Sequence, residues 1–425
     1  MNYEVTGKVN SIKTDMSDSE EELDDYEDDE LDFEDEHNQQ NPDPEPEDNP
    51  PSNNNKNDDL KRRLFKLMLI IGGGMLCLLL ILFLISALFT KSYTYESVEE
   101  VMKNAAMNYF EDNKANLPKD ETQTVEIQVT TLVEAGKMKT LDEYLGKDCG
   151  CTGRVEVKMS GDTYVYIPYL TCGDKYSTKF LTGEVTKDEN LVASGYGLYL
   201  SNNGYVFKGE TVNNYVQLES RVWRIVKVNA NKTVTLILDR AADREYPYDD
   251  RYNQQADYDY GFNIYQTSRI KEQVDLMYNE TNHEEEENYI LSEQDKTHLV
   301  NFDVCIGKMS KTDTIHDNSI ECTQTITSKI GLLTVSDYMN ASSDINCNVV
   351  GSNNCQNYNY LSQNGTFWLI TPSSKNSYSS FYVGNGIVKE SESSDNNKVR
   401  PVITLASNTL ISGGDGSEAN PYVVK

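Results

Sequence analysis

The chain has 425 residues, with 69 acidic and 38 basic side chains and a formal net charge of −31 at neutral pH. This excess of negative charge excludes nucleic acid as a partner, because phosphate polymers are bound through lysine and arginine. Seven of the eight cysteines follow a long apolar run and one lies inside it. That distribution predicts disulfides formed in an oxidising compartment.

Residues 1–60 form the first region, which holds 22 acidic residues and three lysines. It contains too little apolar surface to offset the entropy lost on ordering, so we predict a disordered cytoplasmic tail. A block this negative is typical of a solvated, self-repelling segment. A basic cytoplasmic protein is the alternative, as a partner of the tail.

Residues 61–90 form the second region, in which the run from Leu67 to Phe89 contains no charged side chain. At about 1.5 Å per residue, its length matches the roughly 30 Å hydrocarbon core of a bilayer. Four basic residues precede the run, whereas only Lys91 follows it directly. We therefore predict a single-pass plasma-membrane protein with its N-terminus in the cytoplasm and everything beyond Lys91 outside.

Residues 91–182 form a small membrane-proximal α+β module. Apolar residues recur at three- and four-residue spacing from Tyr95 towards Pro118, which predicts a stalk helix that could also associate with copies of itself. TVEIQV then predicts a strand and TTLVEAGKM a short helix. RVEVKM and TYVYIPYL predict two paired strands around a turn at Gly161.

The cysteines beyond the apolar run indicate structural bridges. Cys305 and Cys322 bracket one short polar loop, and Cys347 and Cys355 bracket another. Cys172 needs a partner from Cys149 and Cys151, and the odd thiol is either free or joined to another chain. The CGC sequence lacks the second cysteine pair that a zinc site requires. The disulfide candidates are Cys151, Cys172, Cys305, Cys322, Cys347 and Cys355.

Residues 183–425 form one large mixed α+β domain. Strands are predicted at YGLYLS, YVFKGE, NNYVQL, RVWRIVKV and TVTLILD, separated by Asn, Gly and Lys turns. Ser268 opens an amphipathic helix whose apolar face is Ile270, Val274 and Met277. Ser292, with Asp295 three residues later, is typical of a capping box that opens a second helix.

Two parts of the chain resemble known bacterial families. The segment with AAMNYF, LVEAGKM and a cysteine-closed hairpin resembles the pilin-like ectodomains of Gram-positive membrane proteins. Over about residues 190–411, a series of motifs resembles extracytoplasmic domains related to C-type lectins and formylglycine-generating enzymes. In chain order they are VWRIVKV, ILDRAADREYPY, SRIKEQVDLMY, LLTVSDYM, FWLITPSS, FYVGNGIV and VRPVITL.

The resemblance implies a framework role for several of these residues. The strand with Trp223 and Arg224 opens such a fold, and Trp368 with the Val-Arg-Pro sequence closes it. Both tryptophans are predicted as core anchors, because indoles bury a large apolar area. Arg400 is expected to pair with a buried acid, and Pro401 to enter a strand.

The segment REYPYDDRYNQQADYDYGFNIYQ is the predicted recognition surface. Tyrosine offers rigid amphipathic contact area, while carboxylate and amide oxygens could accept sugar hydroxyls or hold Ca²⁺. No spacing here matches a defined calcium loop, and an ordinary polar loop is the alternative. The candidate ligand-binding residues are Tyr248, Asp249, Asp250, Tyr252, Asp257, Tyr258, Asp259 and Tyr260.

No catalytic residue, metal or cofactor is predicted. Formylglycine-generating enzymes use a cysteine pair with a bound metal, but the cysteine spacings here suit bridges, and His283, His298 and His316 lack ligand spacing. We therefore expect a membrane-anchored binding or adhesion module for a surface glycan, cell-wall or protein ligand. The alternatives are an envelope or pilus-like structural subunit and an enzyme on a formylglycine-generating-enzyme-like scaffold.

Overall fold

The computed structural model describes residues 61–75, 93–281, 288–314, 317–363 and 365–425. Residues 61–75 are helical, and no helix within the described ranges is long and apolar enough to cross a membrane. The predicted tail (1–60) and the later part of the predicted span (76–89) lie outside the described residues. Residues 90–425 form one compact unit of mixed α+β structure.

The part of this unit that follows the apolar run is a helix packed on a three-stranded antiparallel sheet of order β1-β2-β3. Thr94 caps the first helix by accepting a hydrogen bond from Ser97 N at 3.2 Å. The predicted helix from Tyr95, the strand, the short helix and the hairpin are confirmed, and a further short helix lies between them; the role of the first helix as a stalk stays a prediction. The elements are α1 Tyr95–Asp112, β1 Thr124–Gln128, α2 Val129–Glu134, α3 Leu141–Leu145, β2 Cys151–Ser160 and β3 Thr163–Cys172.

Close packing between α1 and the sheet depends on a glycine in β2. A Cβ atom at Gly153 would lie 2.8 Å from Met102 Cε and 2.9 Å from Val129 Cγ2. Met102 lies on the apolar face of α1, which is completely buried at Val98 and Met102. A larger residue at position 153 would therefore push the helix off the sheet.

The larger part of the unit contains three sheets among the described residues. The first has the order β13-β18-β9-β8-β7-β20-β19-β4, with the β5-β6 hairpin joined to β8; the second has the order β10-β17-β14-β15-β16; and the third is the antiparallel pair β11-β12. All five strands predicted between residues 196 and 239 are confirmed, as β5 to β9. The strands are β4 Lys179–Phe180, β5 Gly197–Ser201, β6 Gly204–Lys208, β7 Tyr215–Gln217, β8 Val222–Asn229, β9 Val234–Leu238, β10 Glu245–Pro247, β11 Phe302–Cys305, β12 Thr325–Ser328, β13 Ile330–Leu332, β14 Phe367–Pro372, β15 Ser379–Gly384, β16 Ile387–Glu392, β17 Asn396–Lys398, β18 Pro401–Leu405, β19 Leu410–Gly413 and β20 Tyr422–Val424.

Three of the four described helices of this part begin at a serine or threonine whose side chain caps the helix. Ser268 accepts a hydrogen bond from Lys271 N at 3.2 Å, and the predicted apolar face of the helix it opens is completely buried. Ser292 and Asp295 form the predicted capping box. The helices are α4 Leu181–Val185, α5 Arg269–Asn279, α6 Glu293–Thr297 and α7 Val335–Asn340. Short 3-10 turns occur at Lys114–Asn116, Asp188–Asn190, Tyr265–Thr267, Glu321–Thr323 and Asn353–Gln356.

Both tryptophans are core residues, as predicted, since neither has any exposed surface. Pro401 is the first residue of β18, as expected. The expected partner of Arg400 is wrong. Its guanidinium donates to two backbone carbonyls, Leu238 O at 2.7 Å and Asp239 O at 2.8 Å, and burial lowers its pKa to about 10.

Arg224, rather than Arg400, forms the buried ion pair of this region. Its Nη1 lies 3.6 Å from Asp239 Oδ1, its Nε donates to Asn214 Oδ1 at 2.6 Å, and its guanidinium stacks 3.6 Å from the ring centroid of Tyr215. The Trp-Arg strand is therefore fixed by a charge, an amide and an aromatic ring.

The described residues contain three disulfides: Cys151–Cys172 between β2 and β3, Cys305–Cys322, and Cys347–Cys355. They confirm the two bracketed loops and resolve the partner of Cys172. Cys149 keeps a free thiol. Burial and the neighbouring Asp142 carboxylate raise the pKa of Cys149.

A buried carboxylate links α1 to the end of β20. Glu99 accepts hydrogen bonds from the hydroxyls of Tyr176, at 2.7 Å, and Thr178, and it forms an ion pair with Lys425. The Lys425 ammonium also lies 3.1 Å from Thr178 Oγ1. These contacts join two otherwise separate hydrophobic cores, one around α1 and one between the larger sheets.

Candidate functional site

A tyrosine near each end of the tyrosine- and aspartate-rich segment is buried. Tyr248 has no exposed surface; its hydroxyl donates to Ile370 O at 2.8 Å and its ring meets Trp368 edge-on, with 5.6 Å between centroids. Tyr265 is almost completely buried as well. The prediction that Tyr248 contributes to a ligand-binding surface is therefore wrong.

Asp249 is also removed from the predicted surface, because its side chain is completely buried. It accepts hydrogen bonds from Arg251 N at 3.0 Å and Arg251 Nε at 2.9 Å. Gly261 lets the returning chain pass against this turn: it has φ +71°, and a Cβ there would lie 1.6 Å from Asp249 O. Asp249 therefore fixes the base of the loop.

The tip of the segment, in contrast, is exposed. Tyr252 is 52% exposed, and its hydroxyl donates to Asp257 Oδ1 at 2.5 Å. This hydrogen bond raises the pKa of Tyr252. Asp257 has φ +54°, a left-handed conformation that aspartate tolerates better than most residues. Asp250, at the base, is exposed and forms an ion pair with Arg269 at 3.4 Å.

Three tyrosines form a stack at this tip, which we call the tyrosine stack: Tyr258, Tyr260 and Tyr378. The centroids of Tyr258 and Tyr260 are 4.5 Å apart with an interplanar angle of 36°, and those of Tyr260 and Tyr378 are 4.9 Å apart at 27°. Tyr258 is 59% exposed. Partial burial and the nearby Glu392 carboxylate raise the pKa of Tyr260.

Sequence reasoning missed Tyr378, which lies far along the chain in the loop between β14 and β15. The available signal was a single tyrosine within the polar stretch SSKNSYSS, directly after a buried strand. Such a position is typical of a loop that carries function on a rigid sheet. Only the folded arrangement reveals that Tyr378 joins the other two rings.

Two buried asparagines hold the two loops together. Asn263 Nδ2 donates to Ser373 O at 2.9 Å and Ser379 O at 2.7 Å, and also to Asn376 O at 2.9 Å. Asn253 Nδ2 donates to Gly261 O at 2.6 Å. Since both amides are buried and well bonded, the tyrosine stack rests on a fixed support, which limits the entropy lost on binding.

Thiols, imidazoles and clusters of metal-ligating side chains are the groups that would support catalysis or metal binding. The four cysteines after Phe180 are all in disulfides, and burial lowers the pKa of His298. Within the described ranges, no group of three or more His, Cys, Asp or Glu side chains is placed to hold a metal ion. The arrangement is suited to contact by aromatic rings and carboxylates.

A cleft of about 820 Å³ lies beside the end of β9 and the loop that follows it. Its charged lining carries both signs, with Arg221 and Arg240 facing Asp239, Asp243 and Glu418. Asp239 already pairs with the buried Arg224. Since its charges largely compensate one another, the cleft selects less clearly for a ligand than the tyrosine stack does.

Comparison of the chain with family models, with curated proteins and with solved structures found no match.

Proposed function

We propose that this chain is a single-pass membrane protein that displays a non-catalytic binding module outside the cell. The uncharged run from Leu67 to Phe89 and its preceding basic residues support an anchor with a cytoplasmic N-terminus. Three disulfides, all beyond that run, support an oxidising location for residues 90–425.

We further propose that the outer part is a C-type-lectin-like domain. Three of the resembling motifs fall on buried strands of the two larger sheets: VWRIVKV lies in β8, FWLITP is β14, and PVITL is β18. In such an arrangement the sheets form the scaffold and the loops carry the ligand site. The loops that meet at the tyrosine stack are then the ligand-binding loops.

The observation that carries the binding proposal is the tyrosine stack itself. Tyr258 is exposed and the other two rings are partly buried, and rings that are held in place by buried hydrogen bonds give contact area with little loss of side-chain entropy. An isolated exposed tyrosine needs no explanation, but three stacked rings from two loops on one tip form a defined contact surface.

The test is retention of the full-length protein, in detergent, on purified cell walls and on immobilised surface proteins and glycans. Substitution of Tyr258 and Tyr378 together by alanine is expected to reduce retention about tenfold or more, because each ring supplies about 0.5–1.5 kcal/mol beyond its buried area. Tyr164→Ala, which removes an exposed tyrosine from β3, is the matched control and should leave retention unchanged.

Equal retention of the double variant and the wild type would place the binding site elsewhere.

The anchor is tested separately on intact cells, where external protease should degrade residues 90–425 and leave residues 1–60 protected. Degradation of the tail would overturn the proposed orientation.

A further inference from the structure

Among the described residues, no cation of the protein itself lies over the rings of the tyrosine stack. Elsewhere the protein uses tyrosine faces for this purpose, since Arg224 lies 3.6 Å from the ring centroid of Tyr215 and Arg154 lies 4.5 Å from that of Tyr169. Over the part of the chain that the structure describes, no lysine or arginine lies over a ring of the stack. The negative faces of these rings are available to a cation from outside.

The carboxylates around the stack are similarly uncompensated. At the base of the same segment, Asp249 and Asp250 each pair with an arginine. Within the described ranges, none of Asp257, Asp259 and Glu392 forms an ion pair with a lysine or arginine. We call these three residues the tip carboxylates. They give the stack a local negative field.

The net charge of residues 92–425 is also negative and therefore adds to the negative field of the tip carboxylates. Of the chain's acidic residues, 22 lie in residues 1–60 and none in residues 61–91, so residues 92–425 carry 47 acidic and 30 basic side chains. This net charge of −17 attracts cationic ligands and repels anionic polymers over distances comparable with the Debye length.

From these observations we propose that the tyrosine stack and the tip carboxylates bind a lysine or arginine side chain on an exposed segment of a partner protein. A long cationic side chain lays its aliphatic stem along the rings while its charged end reaches the carboxylates. A neutral sugar would use the rings alone, and an anionic glycan would be repelled. This inference rests on the proposed binding function and specifies its ligand.

The test uses the full-length protein in detergent and a six-residue peptide of alternating glycine and arginine that carries a photo-crosslinker. Crosslinks are mapped by mass spectrometry, which separates binding at the tip from attraction to the acidic residues 1–60. We expect crosslinks within residues 252–260 and 373–379, and none with a matched glycine and glutamate peptide. Crosslinks confined to other residues would overturn the inference.

Affinity at the tip is then measured with charge-removing variants. Asp257→Asn combined with Asp259→Asn should weaken tip binding about tenfold, since it removes two attractive carboxylates, and raising the salt concentration should have a similar effect. Asp162→Asn removes an exposed carboxylate from the β2-β3 turn and should leave tip binding unchanged. Equal effects of the two changes would mean that only the overall charge matters, which would contradict the inference.

A neutral oligosaccharide of N-acetylglucosamine distinguishes this inference from the function on which it rests. If the oligosaccharide binds, the arginine peptide does not crosslink at the tip, and the alanine variant of Tyr258 and Tyr378 abolishes oligosaccharide binding, the proposed function stands and the cationic ligand class is wrong. If that variant alters the binding of neither ligand, both proposals fail.

Discussion

Two parts of one tyrosine- and aspartate-rich segment differ in their exposure to solvent: the base is buried and the tip is exposed. At the base, Tyr248 and Asp249 are completely buried, and Tyr248 packs against a core tryptophan. At the tip, Asp257 and Tyr258 are exposed to solvent. Since the residue types are the same, the difference comes from where each one lies relative to the strands and from which polar partners it meets.

The base is buried because its polar atoms find partners there. The Tyr248 hydroxyl donates to a backbone carbonyl, and the Asp249 carboxylate accepts from Arg251, so neither desolvated group is left without a hydrogen bond. At the tip the left-handed residue Asp257 turns the chain back into solvent. The contrast separates a supporting base from a presenting tip, and each of the following measurements tests that division.

The largest expected effect is the loss of stability in Tyr248→Ala. Removing a completely buried aromatic ring should lower the free energy of unfolding by about 3–5 kcal/mol. Tyr258→Ala should change it by no more than about 0.5 kcal/mol, because that ring is mostly exposed. Urea denaturation of the two variants and the wild type provides the measurement, and similar losses for both would show that base and tip do not differ as described.

The second effect concerns the carboxylate at the base. Asp249→Asn removes the charged acceptor of the Arg251 guanidinium and should cost about 2 kcal/mol in the same denaturation experiment. Asp250→Asn is the adjacent control, and because its pair with Arg269 is exposed, we expect a change below about 0.5 kcal/mol. A larger loss at Asp250 would reverse the assignment of base and surface.

Much of the local structure could be predicted from the sequence. The cap at Ser268, the capping box at Ser292, the hairpin turn at Gly161 and the disulfides all depend on residues close together in the chain. Period-two and helical patterns reflect which face is buried, so they identify strands and helices directly.

The sequence could not predict which tyrosines are buried and which belong to the tyrosine stack, because this depends on contacts between residues distant in sequence. Tyr248 is buried since its hydroxyl meets Ile370 O, and Tyr378 joins the stack since Asn263 fixes its loop. The prediction that Arg400 pairs with a buried acid was wrong for the same reason. Two backbone carbonyls at the end of β9 accept hydrogen bonds from its Nε and Nη2, and no side-chain pattern marks these carbonyls.

A third and smaller effect is expected where base and tip are joined. Asn263→Ala removes three hydrogen bonds to backbone carbonyls of the loop that carries Tyr378 and should lower the free energy of unfolding by about 1–2 kcal/mol. It should also weaken ligand retention, because the stack loses its support. Asn231→Ala, at an exposed turn, is the control. Undiminished retention would mean that the rings do not need this support.

The smallest effect is a change in the titration of Tyr252 at the tip. Its hydroxyl donates to Asp257, and because ionisation would break this bond and bring two negative charges together, its pKa is raised. The contribution of the bond is therefore present below the ordinary phenol pKa of about 10 and is lost as the pH rises through the raised value. Asp257→Asn should lower the pKa of Tyr252 towards the ordinary value, as followed by NMR of tyrosine labelled with ¹³C at Cζ, with Tyr252→Phe assigning the signal. An unchanged titration would show that Tyr252 and Asp257 are not hydrogen-bonded in solution, and the tip would then be less ordered than its base.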